Sequence, residues 1–107
     1  MPFDPARDPL HLHSPSASSP ARCLRQVGVS DSLDLDPYAK SLWLHVPAEV
    51  AGGVASVRLT PVGAASDLDT VTVLAQPGLQ PLPPVQVRRV WATGTTDGVA
   101  LYALSDR

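Results

Sequence analysis

The sequence has little of what a disulfide-bonded, DNA-binding or membrane protein needs. Cys23 is the single cysteine among 107 residues, so the chain can form neither an internal disulfide nor a cysteine-based metal site. The net charge of −2 excludes the basic surface that is typical of nucleic-acid-binding domains. No run of apolar residues approaches the ~18 that a membrane-spanning helix needs. We therefore expect neither nucleic acid nor a membrane as a partner.

The residues that carry enzyme chemistry are also scarce. His11 and His13 have a spacing that would place two imidazoles on one side of an extended segment, but the sequence offers no third metal ligand near them. The acidic positions around residues 31–36 and 67–69 lack the glycine and terminal glutamate of a calcium loop, and aspartates in turns more often bond their own backbone. The serines at 30 and 32 have no histidine at motif spacing, and no glycine-rich phosphate loop is present. We predict no catalytic residues, no metal site, no cofactor and no enzyme activity.

The first 22 residues differ in composition from the rest of the chain. Five of the twelve prolines fall here among serines and other small residues. Proline fixes φ, lacks a backbone donor and favours an extended residue before it, so neither a helix nor a paired strand is expected. The start also lacks the basic residues and apolar run of a signal peptide, which predicts synthesis in the cytoplasm. We interpret residues 1–22 as an extended arm and residues 23–107 as one folded domain.

The remainder alternates between apolar and polar residues in short segments separated by turns. Because successive side chains of a strand face opposite ways, this period of two predicts β-strands. No segment shows helical periodicity over three turns. Six strands are predicted at residues 24–29, 41–46, 54–60, 70–75, 85–91 and 99–104. The fold class that follows is all-β, a small antiparallel β-sandwich or barrel that is jelly-roll-like, with about six strands and an extended N-terminal arm.

The last two of these strands give the strongest pattern. Residues 85–91 and 99–104 alternate on either side of the glycine-bearing turn at 93–98, which predicts that they pair with each other as a β-hairpin. The prolines at 81, 83 and 84 predict an extended connection before this hairpin rather than a further strand.

Two pairs of side chains are candidates for an interface. Arg89 shares a strand face with Trp91, where a charge in a core would be unfavourable, and arginine and tryptophan are enriched where proteins meet. Trp43 and His45 share the face of their strand that lies opposite the leucines. In the arm, Pro9, Leu10, Pro15 and Pro20 are the candidates for contact with a neighbouring subunit or a larger surface. An arginine exposed to water at the end of the sheet is the alternative for Arg89.

The C-terminal quarter resembles a known family. The run VRRVWATGTT at 87–96, followed by VALY at 99–102, is similar to the ending of the head spike base proteins of gene transfer agents and related tailed phages. The order SPAR at 19–22, VSDSLDL at 29–35 and KSLWL at 40–44 is also similar to that family, so the resemblance extends from about residue 8 to residue 104.

The resemblance implies a structural virion component, made in the bacterial cytoplasm and placed on the capsid surface. It would form the base of the head spike at capsid vertices and link a capsid vertex protein to a spike fibre protein that contacts the recipient cell. A base seated on a fivefold vertex is most simply a cyclic pentamer. Two alternatives stay open: a carbohydrate-binding β-sandwich module, which would bind glycans by itself, and a capsid cement or decoration protein, which would differ in its copy number per particle.

Overall fold

The computed structural model describes residues 4–7 and 20–106, and nearly all of its regular structure is β. Seven strands form two antiparallel sheets packed face to face, without closing into a barrel. The strands are β1 Cys23–Val27, β2 Ser41–Val46, β3 Ala55–Pro61, β4 Val71–Ala75, β5 Gly78–Pro81, β6 Val87–Val90 and β7 Ala100–Ser105. Two 3-10 helices, Pro5–Arg7 and Ala51–Gly53, are each three residues long. The predicted fold class, a small antiparallel β-sandwich, is confirmed.

The two sheets follow from the pairing of these strands. A four-stranded sheet has the order β1-β7-β2-β5, and a three-stranded sheet has the order β4-β3-β6. Alternation explains which side chains lie between them: in β2, Leu42, Leu44 and Val46 are buried, whereas Trp43 and His45 face outwards. The core is completed by small and aliphatic side chains from both sheets, among them Ala55, Val57, Leu59, Val90, Leu101 and Ala103.

The predicted hairpin is wrong. β6 pairs with β3 in the three-stranded sheet, whereas β7 lies between β1 and β2 in the four-stranded sheet. The segment between them first continues alongside β3, where the backbone N–H of Thr96 donates to the carbonyl oxygen of Ser56 (2.9 Å), and then crosses to the other sheet. Alternation marks both segments as strands but does not determine which strand pairs with which.

A seventh strand lies where an extended connection was predicted. β5 pairs with β2 at the edge of the four-stranded sheet, with His45 opposite Leu79 and Trp43 opposite Pro81. Pro81 is compatible with this position because an edge strand pairs on one side only and the proline stands at the end of the strand.

A β-bulge interrupts the pairing of β6 with β3. Thr60 pairs with Arg89 and Pro61 pairs with Val87, so Arg88 is the extra residue. The bulge lets both Val87 and Val90 face the core, although they are three positions apart and strict alternation would put them on opposite faces.

One side of the sandwich is closed by the segment that joins β1 to β2. Backbone N–H groups of Ser30 and Leu35 donate to carbonyl oxygens of Val90 and Arg88, each at 2.9 Å. Ala39 then forms a β-bridge with Val87. This closing segment, residues 30–39, therefore covers the outer edge of β6. On the opposite side of the sandwich, two residues connect β4 directly to β5.

The predicted arm lies mostly outside the described residues. Pro9, Leu10 and Pro15 are among the positions that the structure does not describe, as are His11 and His13. The division into an arm of residues 1–22 and a domain of residues 23–107 therefore stays a prediction.

Candidate interaction surface

Six side chains form an apolar outer surface on the four-stranded sheet. They come from all four of its strands and line a broad, open depression of about 620 Å³. We call this surface the apolar face; its members are Leu24, Trp43, His45, Leu79, Tyr102 and Leu104.

Strand register brings these side chains together. Leu24 of β1 stands opposite Leu104 of β7, and Tyr102 of β7 stands opposite Trp43 of β2. Opposite residues of antiparallel strands share a face and have Cβ atoms about 5 Å apart. Side chains that stand opposite each other on neighbouring strands are therefore close enough to contact. The face thus joins an aromatic pair at its centre to leucines at both edges.

The apolar face is open to solvent to a degree that is unusual for such residues. Leu24 is 67% exposed, Leu79 is 62% exposed and Trp43 is 37% exposed. None of its six members is an acidic residue, a lysine or an arginine. A contiguous exposed apolar patch in a protein of this size is a candidate surface for interaction.

The predicted pair of Trp43 and His45 belongs to this surface. Sequence reasoning missed its other members: Leu79 because β5 was not predicted, and Leu24, Tyr102 and Leu104 because their place depends on the register of β7 between β1 and β2. The signal available in the sequence was the alternation of residues 99–104, which places Tyr102 and Leu104 on the same face of their strand. An interface role for Trp43 and His45 stays a prediction.

Arg89 and Trp91 do not lie on the apolar face. They occupy the outer side of the three-stranded sheet, where loops of the same chain cover them and leave them 9% and 8% exposed. The indole N–H of Trp91 donates to Thr60 Oγ1 (2.9 Å), and that hydroxyl donates to the carbonyl oxygen of Asp67 (2.8 Å). Their side chains therefore have contacts within the domain, and a further role in an interface stays a prediction.

Two guanidinium groups flank the Trp91 ring. The Cζ atom of Arg58 lies 4.4 Å from the ring centroid and that of Arg89 lies 5.1 Å from it, both within the range of cation–π attraction. Arg58 is held further by a hydrogen bond from Nε to Thr70 Oγ1 (3.1 Å). The packing of Arg58 and Arg89 against the Trp91 ring explains how two arginines are accommodated on a nearly buried sheet face.

Acidic loop residues neutralise the arginines of β6. Arg89 Nε donates to Asp34 Oδ1 at 2.7 Å, and Arg89 Nη2 lies 3.5 Å from Asp67 Oδ2. Arg88 Nη2 lies 3.0 Å from Asp67 Oδ1, an ion pair without an aligned hydrogen bond. The bulge at Arg88 breaks the alternation there, so Arg88 and Arg89 both reach Asp67 although they are adjacent in sequence.

Asp31 fastens the closing segment to the loop that follows β6. The Thr93 hydroxyl and the Thr93 backbone N–H (2.8 Å) both donate to its carboxylate. These bonds, with smaller contributions from the backbone of Ala92 and the charge of Arg58, lower the pKa of Asp31 below its ordinary value of 3.8. The aspartates of the loops thus serve mainly contacts across the chain rather than their own turns, although Asp69 does accept a bond from the backbone of Ser66 (3.3 Å).

Pro20 is exposed and borders a second, smaller depression together with Lys40 and Pro84. Across residues 4–7 and 20–106, no three histidine, cysteine or acidic side chains stand close enough to hold a metal ion. No helix in the same ranges is long and apolar enough to cross a membrane.

Comparison with known proteins gives one informative similarity. No family model matches the chain, and no curated protein matches it. A solved structure does: a chain in the capsid of a native gene transfer agent (GTA) particle, computed with C5 symmetry, is 28% identical with a TM-score of 0.68. The match covers 92% of this chain and 99% of that one, so the two chains have nearly the same length.

The similarity covers 92% of this chain, so it includes most of the sandwich. It supports a structural component of a virion, related to the capsids of gene transfer agents and phages, and with it a non-enzymatic role.

Proposed function

We propose that this protein is the base of the head spike of a gene transfer agent or tailed-phage particle. In this role it forms a cyclic pentamer on a capsid vertex and links the capsid to a spike fibre that contacts the recipient cell. The observation that carries the proposal is the match over nearly the full length of both chains to a component of a capsid computed with C5 symmetry. A protein seated on a fivefold axis meets five equivalent positions, and a ring of five copies satisfies all of them.

The apolar face supports a role in assembly. Its exposed leucines and aromatic pair resemble the apolar centre of a protein interface rather than a free surface. Within the proposed spike base, we assign this face to a protein partner, either the capsid vertex or the fibre. The absence of charged members makes it a poor site for an anionic ligand.

One specific observation favours a second function. Trp43 and Tyr102 stand side by side on the exposed sheet, and aromatic platforms of this kind also bind sugars. Sugar sites add polar side chains that bond the hydroxyl groups, whereas leucines surround this pair. We therefore place a carbohydrate-binding module second to the spike base.

Native mass spectrometry of the purified protein tests the proposal. A pentamer at micromolar concentration is the expected result, and a protein that stays monomeric throughout that range would count against the ring. A glycan array with the same preparation distinguishes the second function from the first. No binding to any glycan agrees with a spike base, whereas saturable binding that Trp43→Ala abolishes would favour the carbohydrate-binding module. A decoration protein would instead be present on particles in far more copies than vertices can hold.

A further inference from the structure

The edges of the two sheets differ in whether they can accept another strand. A sheet edge presents unpaired backbone N–H and C=O groups, and soluble proteins usually block such edges with charge, proline or a covering segment. Four strands, β1, β5, β4 and β6, stand at the ends of the two sheets. Comparing them shows which edges remain open.

The edges of β6 and β5 are blocked within the chain. The closing segment covers β6 through backbone hydrogen bonds to Arg88 and Val90. β5 is four residues long and ends in Pro81, and the Gln80 side-chain amide donates to the carbonyl oxygens of Gln76 and Gly78 beside it. Neither edge is suited to another strand.

Within the described residues, the edges of β4 and β1 have neither a proline nor a covering segment. β4 has the sequence VTVLA, with no charge and no proline, and within the described residues it pairs with β3 alone. β1 pairs with β7 alone among those residues, and its one charged side chain, Arg25, is directed to its own chain through Pro37 O (2.7 Å) and Ser105 Oγ (3.3 Å). Both strands are five residues long.

These two open edges lie on opposite sides of the sandwich. β4 is connected by two residues to β5, whereas β1 stands at the other end of the sheet that contains β5. The segment after β1 leads to the edge of β6, which is the far end of the sheet that contains β4. A protomer with two different open edges on opposite sides has what a head-to-tail ring needs, since such a ring joins two unlike surfaces at every contact.

We propose that the outer edge of β4 pairs with the outer edge of β1 in a second copy of this chain. The contact adds a strand to each sheet through backbone hydrogen bonds, and it shields two exposed leucines, Leu74 (71% exposed) and Leu24 (67% exposed). The inference rests on the ring of the proposed function and names the strands that join its subunits.

A matched pair of lysine substitutions tests the β4 edge. Leu74→Lys puts a charge on the edge strand, while Leu33→Lys changes an equally exposed leucine (72%) outside the strands. A lysine on an edge opposes strand addition, so Leu74→Lys should raise the concentration for half-assembly by about 10-fold or more, and Leu33→Lys should leave it unchanged. Native mass spectrometry over a concentration series gives both values, and thermal melting of the monomers confirms that both variants fold.

Disulfide trapping identifies the partner strand. Cys23, exposed at the start of β1, is the only native thiol. If the strands pair in parallel, Cys23 stands opposite position 71 of the next copy, and if they pair antiparallel it stands opposite position 75. Val71→Cys therefore tests the parallel arrangement and Ala75→Cys the antiparallel one, because opposite Cα atoms lie within disulfide range. One of the two variants should give covalent oligomers up to the pentamer, with a mixed disulfide to Cys23 identified by peptide mass. Adding Cys23→Ser should limit that variant to dimers.

The outcomes separate the two proposals. Rings without a mixed disulfide in either variant, or Leu74→Lys rings that form at the wild-type concentration, would overturn the pairing of β4 with β1 and leave the spike base intact. A wild-type protein that forms no ring at any concentration would overturn both.

Discussion

Arg89 Nε lies 2.7 Å from Asp34 Oδ1, although 55 residues separate the two along the chain. The ion pair joins β6 to the closing segment, next to the backbone bond between Leu35 and Arg88. With 10% of the arginine side chain and 30% of the aspartate side chain exposed, the pair is shielded more than an ordinary surface ion pair. It fixes the layer of loops that covers the three-stranded sheet.

Loss of this ion pair should weaken the folded monomer. Arg89→Ala removes the partner of Asp34 and one neighbour of Trp91, and we expect it to lower the free energy of unfolding by about 2 kcal/mol. Urea denaturation of the monomer measures the change. In a double-mutant cycle with Asp34→Asn, the two effects should be less than additive. Full additivity would mean that the contact contributes nothing to stability.

The two tryptophans should behave differently when replaced by alanine. Trp91 is 8% exposed and bonded to Thr60, so Trp91→Ala should cost about 3–5 kcal/mol of stability. Trp43 is 37% exposed, so Trp43→Ala should change monomer stability by less than about 1 kcal/mol. The same chemical denaturation gives both values, and equal losses would contradict the burial that distinguishes the two rings.

Two glycines in the segment between β6 and β7 give a controlled test of packing. Both have positive φ, +96° at Gly94 and +88° at Gly98, so alanine at either costs about 1 kcal/mol in backbone strain. A Cβ at Gly94 would also lie 2.9 Å from Arg58 Cδ, whereas at Gly98 it meets no atom within 4 Å. We expect Gly94→Ala to be at least about 1 kcal/mol more destabilising, because Arg58 must move from its place against Trp91. Equal melting temperatures would show that Arg58 moves without cost.

Asp31 makes part of the free energy of unfolding depend on pH in the acid range. Its pKa is lowered in the folded state by the bonds from Thr93, so its contribution is present above pH 3.8 and is lost as the pH falls below that value through the lowered pKa. Asp31→Asn should therefore flatten the fall of unfolding free energy in this acid range. Unfolding curves at a series of pH values measure the slope, and an unchanged slope in the variant would refute the role of Thr93. Thr93→Ala should give an intermediate slope, since the backbone N–H bond remains.

The sequence was sufficient for the strands whose alternation is regular. Residues 41–46 were predicted with both faces correct, because Leu42, Leu44 and Val46 alternate with polar or aromatic residues without interruption. β6 was located, and Arg89 shares a face with Trp91 as predicted, but the bulge at Arg88 shifts the alternation by one residue and turns Val87 to the core. A bulge depends on the partner strand, which a single segment does not reveal.

The candidate site was predicted in part for the same reason. Trp43 and His45 were recognised as an outward pair, but the remaining apolar face depends on strands distant in sequence. Alternation predicts Arg89 at an interface because an arginine beside a core is unfavourable. The loops that supply Asp34 and Asp67 solve that problem within the chain, and their path over the sheet is not encoded in local alternation.

The central claim is that this protein forms the base of a head spike on capsid vertices. Electron cryomicroscopy of particles from cells that carry the gene, compared with particles from cells that lack it, tests this most directly. The account predicts that the difference density holds five copies of the sandwich around a fivefold vertex, beneath a fibre. Copies spread over the capsid faces away from the vertices, or particles whose vertices are unchanged by loss of the gene, would contradict it.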